Sequence, residues 1–449
     1  MIYSRGNRNL FILPELPQWF IVDEFGVKIV SEMISGARLK DIIEKFPSYP
    51  ASEVRDVYKE INPLLKRGQK AEKIEKSLTS RTTAAMVSVT RKCNLRCPHC
   101  YVDAKGSREY ELTLHDHKKL ADNLHINLAI NKSLVYMVNI TGGEPFTHPD
   151  ILHIIEAYKH SGFEVTMSTN GLLIPDELMT DLKDMGVVLS VSLDGASNKT
   201  HDFIRGKGAF KKVVSKIGKL VNAGIKVGIN SLVHQGNFRE LNKTIDTAYE
   251  LGCSGFNPIN LIQVGRACNS ELKRVSETKI FRRIATHLGK RPEKIRMFMF
   301  SSLFASLGAA LLTGVTCQSC GIGNRPCVYI TETGNIYPCP NTQKEEFRMG
   351  NFRTDDFAKC VDFNHPVLKA FREIHVETMN EKCGKCEVRY FCGGDCRGET
   401  YNVTHDLRAP YVACEDRKKS IIELMWIVSE HPEFFEDRAN EYLINSRTI

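Results

Sequence analysis

Short apolar runs alternate with amphipathic segments over residues 84–268. The runs have the length and β-branched content of buried strands, and the segments between them, such as 148–162 and 175–186, place apolar residues at helical spacing. Strands alternating with helices predict parallel βαβ units, and about six such units predict a partial (β/α)6 TIM-like barrel of the α/β class. The predicted strands cover residues 84–90, 136–141, 164–169, 187–193, 226–233 and 255–262.

Residues 1–75 carry a different pattern. Two strand-like runs at 9–14 and 18–23 are followed by amphipathic helical runs at 24–36, 39–46 and 52–68. Two strands followed by three helices predict a small winged-helix-like module. The polar and charged stretch 69–81 predicts a linker between this module and the barrel.

The C-terminal third is less regular. Residues 269–316 predict a helical bridge, residues 317–420 show little beyond a hairpin turning at Gly334–Asn335, and residues 421–449 predict a C-terminal helix. The apolar run 303–315 is too short to span a bilayer and predicts a buried helix. The first residues lack the long apolar run of a signal peptide, so we expect a cytoplasmic protein with no membrane partner.

Cysteine is frequent, with 15 among 449 residues. Disulfides are rare in the cytosol, so clustered cysteines there indicate metal binding or chemistry. Cys253, Cys268 and Cys360 stand alone and are predicted to be small buried apolar residues. The other cysteines form three groups: Cys93, Cys97 and Cys100; Cys317, Cys320, Cys327 and Cys339; and Cys383, Cys386, Cys392, Cys396 and Cys414.

The first group, "CNLRCPHC", directly follows the first barrel strand. Active sites of such barrels lie at the C-terminal ends of the strands, so this motif is predicted at the mouth. A structural zinc site uses four protein ligands, whereas three thiolates suit a cubane iron–sulfur cluster with one iron left open. The open iron could bind a small molecule.

Polar residues at the ends of later strands could hold that molecule. Gly142 and Gly143 allow close approach of the backbone, and Glu144 could accept a hydrogen bond from an ammonium group. Arg205 could pair with a carboxylate in a fork geometry. Together these groups predict an amino-acid nucleoside as the ligand, with further candidate contacts at Ser168, Asn170, Ser192 and Asp194.

"CNLRCPHCY", followed by "GGEP" at 142–145, resembles the radical S-adenosylmethionine (SAM) superfamily. The resemblance implies that Cys93, Cys97 and Cys100 hold a [4Fe–4S] cluster and that SAM chelates its open iron. It further implies cleavage of SAM to a 5′-deoxyadenosyl radical that abstracts hydrogen. The implied SAM contacts are Gly143 and Glu144 at the methionyl group, Arg205 at the carboxylate, Ser192 near the ribose and His99 beside the adenine.

The later cysteines resemble the SPASM extension of radical SAM enzymes, which carries two auxiliary [4Fe–4S] clusters and would bring the total to three. The resemblance implies one ligand set of Cys320, Cys327, Cys339 and Cys396, and a second of Cys383, Cys386, Cys392 and Cys414. Cys317 makes an additional C-x2-C with Cys320 and could replace Cys327 as a cluster ligand. We prefer Cys327 as that ligand. Pro340 stands where sulfatase-maturing relatives have an aspartate base, which argues against that reaction.

The first module resembles the PqqD-like recognition domain of enzymes that modify ribosomally made peptides. Such domains bind a leader peptide as a strand added to an open sheet edge. A DNA-binding winged helix should show a basic stripe, but residues 1–70 carry 11 basic against 9 acidic side chains, and the chain's net charge is only +8. No nucleic-acid partner is therefore expected.

The sequence thus predicts a radical SAM peptide maturase that forms an oxidative thioether or carbon–carbon cross-link. Its expected partners are a precursor peptide and a low-potential electron donor such as ferredoxin or flavodoxin. One alternative is a SPASM enzyme acting on a tetrapyrrole or another small cofactor precursor. Another is a non-catalytic iron–sulfur redox sensor. No catalytic base is identified from the sequence.

Overall fold

The computed structural model describes residues 1–75, 84–104, 110–130, 137–298, 302–324 and 328–440. Its first element is an antiparallel sheet of β1 (Ile2–Arg5), β2 (Arg8–Leu13) and β3 (Gln18–Asp23), followed by α1 (Glu24–Ile34), α2 (Leu39–Lys45) and α3 (Ala51–Glu75). The two predicted strands and three helices are present. The structure adds β1, which is too short and polar to stand out, and continues α3 into the predicted linker because residues 69–75 are mostly good helix formers.

Side-chain alternation in β2 explains how the small sheet is buried on both faces. Phe11 packs with Phe20 and the three helices in one apolar cluster. Leu10 and Ile12 point the other way and join the main core of the chain. The Trp19 indole N–H also donates to the Leu311 carbonyl at 3.1 Å. The module is therefore packed onto the C-terminal half of the protein.

The barrel has the predicted α/β order. Its six strands pair in parallel and in chain order: β4 (Ala84–Thr90), β5 (Met137–Gly142), β6 (Glu164–Thr169), β7 (Val188–Ser192), β8 (Val227–Val233) and β9 (Gly255–Asn260). The helices that alternate with them are α4 (Leu114–Ile130), α5 (Ile151–His160), α6 (Met179–Asp184), α7 (Asn198–Arg205), α8 (Ala209–Asn222) and α9 (Leu241–Glu250). This arrangement confirms the predicted fold class, and it brings the ends of all six strands to one mouth.

The predicted hairpin in the cysteine-rich region extends the barrel sheet. Its strands are β10 (Val328–Ile330) and β11 (Asn335–Tyr337), and β12 (Gly350–Asn351) pairs beside them. Because β10 pairs in parallel with β4, these strands continue the sheet past the first barrel strand. The hairpin was predicted, but its union with the barrel was not, since sequence pattern does not reveal long-range strand partners.

The remaining helices form a bridge and a C-terminal layer. Helix α18 (Cys414–Glu430) packs along α10 (Glu277–Lys290) and α11 (Leu303–Thr313) through a buried apolar face. It begins earlier than the predicted C-terminal helix, which started at residue 421. Within the described ranges, no single helix is long and apolar enough to cross a membrane, although the bent pair Pro292–Phe298 and α11 would pass on combined length and composition. These helices are α10 (Glu277–Lys290), α11 (Leu303–Thr313), α12 (Gly321–Asn324), α13 (Phe357–Cys360), α14 (Pro366–Arg372), α15 (Glu381–Gly384), α16 (Arg389–Cys392), α17 (Arg397–Thr404) and α18 (Cys414–Glu430).

Candidate active site

The three-cysteine motif lies on the loop that follows β4, which we call the cluster loop (residues 91–104). Cys97 is buried, and Cys93 and Cys100 are half-buried. All three line a cavity of about 380 Å³ at the C-terminal ends of the barrel strands. The structure therefore places the motif at the predicted mouth.

The glycines at the end of β5 seat the cluster loop. Gly143 N–H donates to the Thr90 carbonyl at 2.7 Å, and Glu144 N–H donates to the Lys92 carbonyl at 2.9 Å. A Cβ at Gly143 would lie 2.2 Å from the Lys92 oxygen, and one at Gly142 would lie 2.3 Å from the Thr90 oxygen. Both glycines also line the cavity, so they serve close packing of two backbones as well as the predicted approach to a ligand.

Replacing Gly143 by alanine is expected to displace the cluster loop, because neither backbone can move without losing these hydrogen bonds. We expect occupancy of the cluster loop by iron and SAM cleavage to fall by about tenfold or more, since overpacking of this kind costs roughly 1–3 kcal/mol. The measurements are iron content and 5′-deoxyadenosine formation. Gly218→Ala is the matched control, since the nearest atom to a Cβ there is 3.9 Å away; equal losses in both variants would contradict the packing explanation.

Arg266, in the segment after β9, holds the cluster loop by hydrogen bonds. Its Nε donates to the Cys97 carbonyl at 2.9 Å, and its Nη1 donates to the Ala104 carbonyl at 3.0 Å. Its backbone N–H donates to the Cys100 carbonyl at 2.9 Å. The sequence analysis missed this residue, because a single arginine far along the chain gives no signal of the loop it contacts.

Glu144 lies behind the cavity wall rather than on its surface. Its carboxylate is fully buried and accepts from Thr169 Oγ1 at 2.7 Å and from Asn170 N–H at 2.8 Å. Burial raises the pKa of Glu144, and these donors partly offset that effect. In the structure this carboxylate ties the end of β6 to the end of β5, and the predicted contact with a ligand ammonium stays a prediction.

Asp194 is likewise fully buried and outside the cavity lining. Its Oδ2 accepts from Arg205 Nε at 2.6 Å, and its Oδ1 accepts from Leu232 N–H at 2.8 Å. Burial alone would raise the pKa of Asp194, but the Arg205 charge and the neighbouring imidazole lower it, so the carboxylate is ionised. Asp194 therefore positions Arg205 rather than contacting the cavity.

Arg205 and His99 both face the cavity. Arg205 Nη2 lies 3.4 Å from His99 Nε2, and arginine can only donate, so Nε2 accepts and the ring proton lies on Nδ1. Burial, reinforced by Arg205, lowers the pKa of His99 to about 4. Among the described residues, the buried Nδ1 has no hydrogen-bond partner. A neutral ring with a free N–H donor and an apolar face fits a purine beside it.

The other predicted cofactor contacts also reach the cavity. Ser168, Asn170 and Ser192 line it at the ends of β6 and β7. Lining residues that sequence reasoning missed include several from β8, from β9 and the segment after it, and from the loop after β11: Asn230, Leu232, Ile259, Asn260, Leu261, Ile262, Arg266 and Asn341. The cavity thus combines thiols, an arginine, amides and an apolar wall, which are the groups that an iron–sulfur cluster and SAM require.

The cysteine arrangement fits clusters better than single ions. No group of His, Cys, Asp or Glu in the described part of the chain is placed to hold one metal ion. The thiolates of a cubane stand farther apart, because each binds a different iron. Three thiols around an open cavity therefore suit a cluster that leaves one iron accessible.

A second set of thiols lies beside the same cavity. Asn341 N–H donates to Cys339 Sγ and Asn341 Nδ2 donates to Cys396 Sγ, both at 3.5 Å. Burial, reinforced by the nearby Cys320 thiol, raises the pKa of Cys396 to about 11. Three of the four predicted ligands of the first auxiliary cluster are thus brought together. The fourth, Cys327, lies outside the described residues.

Cys317 is the alternative fourth ligand. Its Sγ donates to the Ser319 carbonyl at 2.7 Å, and its backbone N–H donates to the Tyr390 carbonyl at 2.6 Å. A Cβ at Gly393 would lie 2.7 Å from this sulfur, so Cys317 packs against the loop between Cys392 and Cys396. The preference for Cys327 over Cys317 stays a prediction.

The third set surrounds a separate cavity of about 190 Å³. The lining includes all four predicted ligands of the second auxiliary cluster: Cys383, Cys386, Cys392 and Cys414. Four cations line the same cavity against the two carboxylates of Glu387 and Glu415, and this positive excess would offset part of the negative charge that four thiolates bring: Lys382, Lys385, Arg389 and Lys418. The chemistry and the shape of this site both fit a four-thiolate cluster.

Comparison with known families shows which domains the chain contains. The model described as "Radical SAM superfamily" matches residues 87–248, and the model of the SPASM "iron-sulfur cluster-binding domain" matches residues 320–387. The chain therefore contains a radical SAM domain and a SPASM domain. The radical SAM domain contains the cluster loop and most of the cavity, and the SPASM domain begins at Cys320.

Individual relatives cover most of the chain. The AdoMet-dependent heme synthase of Methanosarcina barkeri is 29% identical over 348 residues, 74% of this chain and 96% of that protein. The antilisterial bacteriocin subtilosin biosynthesis protein AlbA of Bacillus subtilis is 27% identical over 357 residues, 76% of this chain and 73% of its own length. Streptococcus suis SuiB bound to precursor peptide SuiA shares the fold with a TM-score of 0.60, at 15% identity over 92% of this chain and 100% of SuiB.

A buried polar network joins the C-terminal region to the wall of the radical SAM cavity. Glu399 on α17 is fully buried; its Oε1 accepts from Gln263 N–H at 2.8 Å and from Arg274, and its Oε2 accepts from Tyr411 OH at 2.8 Å. Arg274 Nε donates to the Leu261 carbonyl at 2.8 Å. The segment that lines the cavity after β9 is therefore held by side chains of the C-terminal region.

Proposed function

We propose that this enzyme is a maturase that forms an oxidative cross-link within a ribosomally made precursor peptide. The single observation that supports a peptide substrate is the sheet of residues 1–23. Strand β3 pairs with β2 along one edge, and no other described strand pairs with its second edge. The half-buried Val57 and Tyr58 of α3 belong to the apolar cluster on this module. An extended leader peptide could pair with this edge as an added strand and pack against α3.

The comparisons support a peptide substrate without identifying it. AlbA is named for the biosynthesis of a bacteriocin, and the SuiB structure contains a precursor peptide. SuiB also matches this chain across 92% of its length, so its fold extends over the N-terminal module as well as the two iron–sulfur domains. We therefore assign residues 1–75 of this chain to binding the leader.

The residues around the cavity would divide the work as follows. Cys93, Cys97 and Cys100 hold the cluster, which with bound SAM supplies a carbon radical that abstracts hydrogen. Arg205, fixed by Asp194, pairs with the SAM carboxylate, and His99 donates from Nδ1 beside the adenine. The apolar wall formed by Ile259, Leu261 and Ile262 excludes water from the reacting centre.

A second candidate substrate is a tetrapyrrole. The heme synthase relative is matched over 96% of its own length, so its similarity extends beyond the shared SAM-binding motif. This candidate does not use the open edge of β3. The low-potential donor proposed for either reaction is a ferredoxin or a flavodoxin.

Mass spectrometry of a co-expressed peptide tests the proposed function. The enzyme is expressed anaerobically with the short peptide encoded beside it, and the peptide is expected to lose two hydrogens. The loss should disappear with the Cys93→Ala enzyme and with a peptide lacking its leader segment. An unmodified peptide, despite SAM cleavage and conversion of a porphyrin precursor by the same enzyme, would move the assignment to the tetrapyrrole.

A further inference from the structure

Asn341 stands between the radical SAM cavity and the first auxiliary cluster site. It lines the cavity on one side. On the other side its backbone N–H donates to Cys339 Sγ and its Nδ2 donates to Cys396 Sγ. Asn341 thus links the substrate cavity to two predicted ligands of this cluster.

The position of Asn341 is fixed from behind by α17. Asn402 Nδ2 donates to the Asn341 carbonyl at 3.1 Å. A Cβ at Gly398 would lie 2.7 Å from that carbonyl oxygen and 2.8 Å from Asn341 Cβ, so the helix can pack this closely only with glycine there. Because Asn341 contacts α17 on one side and the Cys396 sulfur on the other, its conformation is preorganised.

We propose that Asn341 sets the reduction potential of the auxiliary cluster held by Cys339 and Cys396, so that this cluster accepts the electron released during cross-linking. Hydrogen bonds to cluster sulfurs stabilise the reduced, more negative state and raise the potential. Asn341 supplies two such donors, and Glu399 N–H supplies a third to Cys396 Sγ at 3.3 Å. Asn341 is thus a positioning residue for the redox step.

The inference rests on the proposed function for its electron balance. A cross-link removes two hydrogens from the peptide: one leaves as a hydrogen atom to the 5′-deoxyadenosyl radical. When the new bond forms, the second leaves as a proton together with one electron. The auxiliary iron–sulfur cluster is the one-electron oxidant, and it is reoxidised by an external carrier such as a flavodoxin.

The test is an EPR-monitored redox titration of Asn341→Ala and Asn341→Asp enzymes. Cys93, Cys97 and Cys100 are also replaced by alanine in every sample, so that only the auxiliary clusters contribute. The alanine variant loses one hydrogen bond to a charged group. At the wild-type midpoint its oxidised-to-reduced ratio should therefore be about tenfold higher, so its midpoint potential should be about 59 mV lower for a one-electron couple. The aspartate variant should shift further, because it adds negative charge.

Gln343→Ala is the matched control. Gln343 lies on the same short turn but donates to the Pro340 carbonyl at 2.8 Å, and no described contact joins it to a cysteine sulfur. Its potential should equal that of wild type. Unchanged midpoints in both Asn341 variants at wild-type iron content would overturn the proposal. If alanine lowers the iron content, Asn341→Ser is titrated instead; a midpoint between wild type and the aspartate variant supports the proposal, and any other order overturns it.

A second readout separates this inference from the proposed function. With the first cluster intact, Asn341→Ala should form less cross-linked peptide for each 5′-deoxyadenosine released, while SAM cleavage itself is kept. If wild type forms no cross-link, the proposed function fails, but the shift in potential still decides the role of Asn341. If wild type forms the cross-link and the midpoints do not move, only the role of Asn341 fails.

Discussion

Replacing Cys93 by alanine is expected to reduce SAM cleavage to the level measured without enzyme. The cofactor carries the radical chemistry, and a cubane held by two remaining thiolates would not keep its place beside the cavity. With the three predicted clusters, iron content should fall from about twelve to about eight atoms per chain, since the predicted auxiliary sites use other cysteines. The measurements are 5′-deoxyadenosine formation under dithionite and iron analysis after anaerobic reconstitution.

Cys268→Ala is the matched control for this prediction. Cys268 is exposed and contributes to neither cavity, so the variant should keep both iron and activity. Its exposure also shows that one sequence expectation was wrong: Cys253 and Cys360 are buried as predicted, but Cys268 is not. Retention of SAM cleavage by Cys93→Ala would contradict the assignment of the cluster loop.

The barrel was predictable because the buried positions along its strands are mostly apolar. Each reads as a short apolar run, and the helices between them keep an apolar stripe, so local pattern and global fold agree. The observed strand limits differ from the predicted ones by at most two residues, and those of β4 and β6 agree. Strand β1 was missed because Tyr3 and Arg5 make its contacts with Glu387 and Glu423, partners more than 380 residues away.

The candidate site was predictable only where a motif supplied the signal. The cysteines and the glycine pair were found because their spacing is specific, and Arg205 was found through the same resemblance. Burial could not be predicted at the level of single side chains, so Glu144 and Asp194 were expected at the cavity surface although both lie behind it. Arg266 and Asn341 were missed because their roles depend on contacts between distant segments.

Replacing Glu399 by glutamine is expected to destabilise the union of the two domains. The change leaves the Arg274 guanidinium half-buried without its carboxylate, and breaking one partner of a buried pair costs about 3–5 kcal/mol. Thermal unfolding followed by circular dichroism should begin roughly 6 °C lower or more. Glu373→Gln is the control, because Glu373 and Lys369 are 3.9 Å apart and mostly exposed, and such pairs contribute about 0–1 kcal/mol.

A double-mutant cycle distinguishes a buried pair from a general packing defect. If Arg274 costs stability in the Glu399→Gln enzyme because its charge is unpaired, then adding Arg274→Met should restore part of the loss. Strictly additive effects would show that the two side chains do not stabilise each other. Because Arg274 and Glu399 hold Leu261, which lines the cavity, and the nearby Gln263, the single variant should also raise the KM for SAM, whereas Glu373→Gln should not. Stability lost without any change in KM would place the network in the fold alone, and the cavity wall would then be held by the barrel itself.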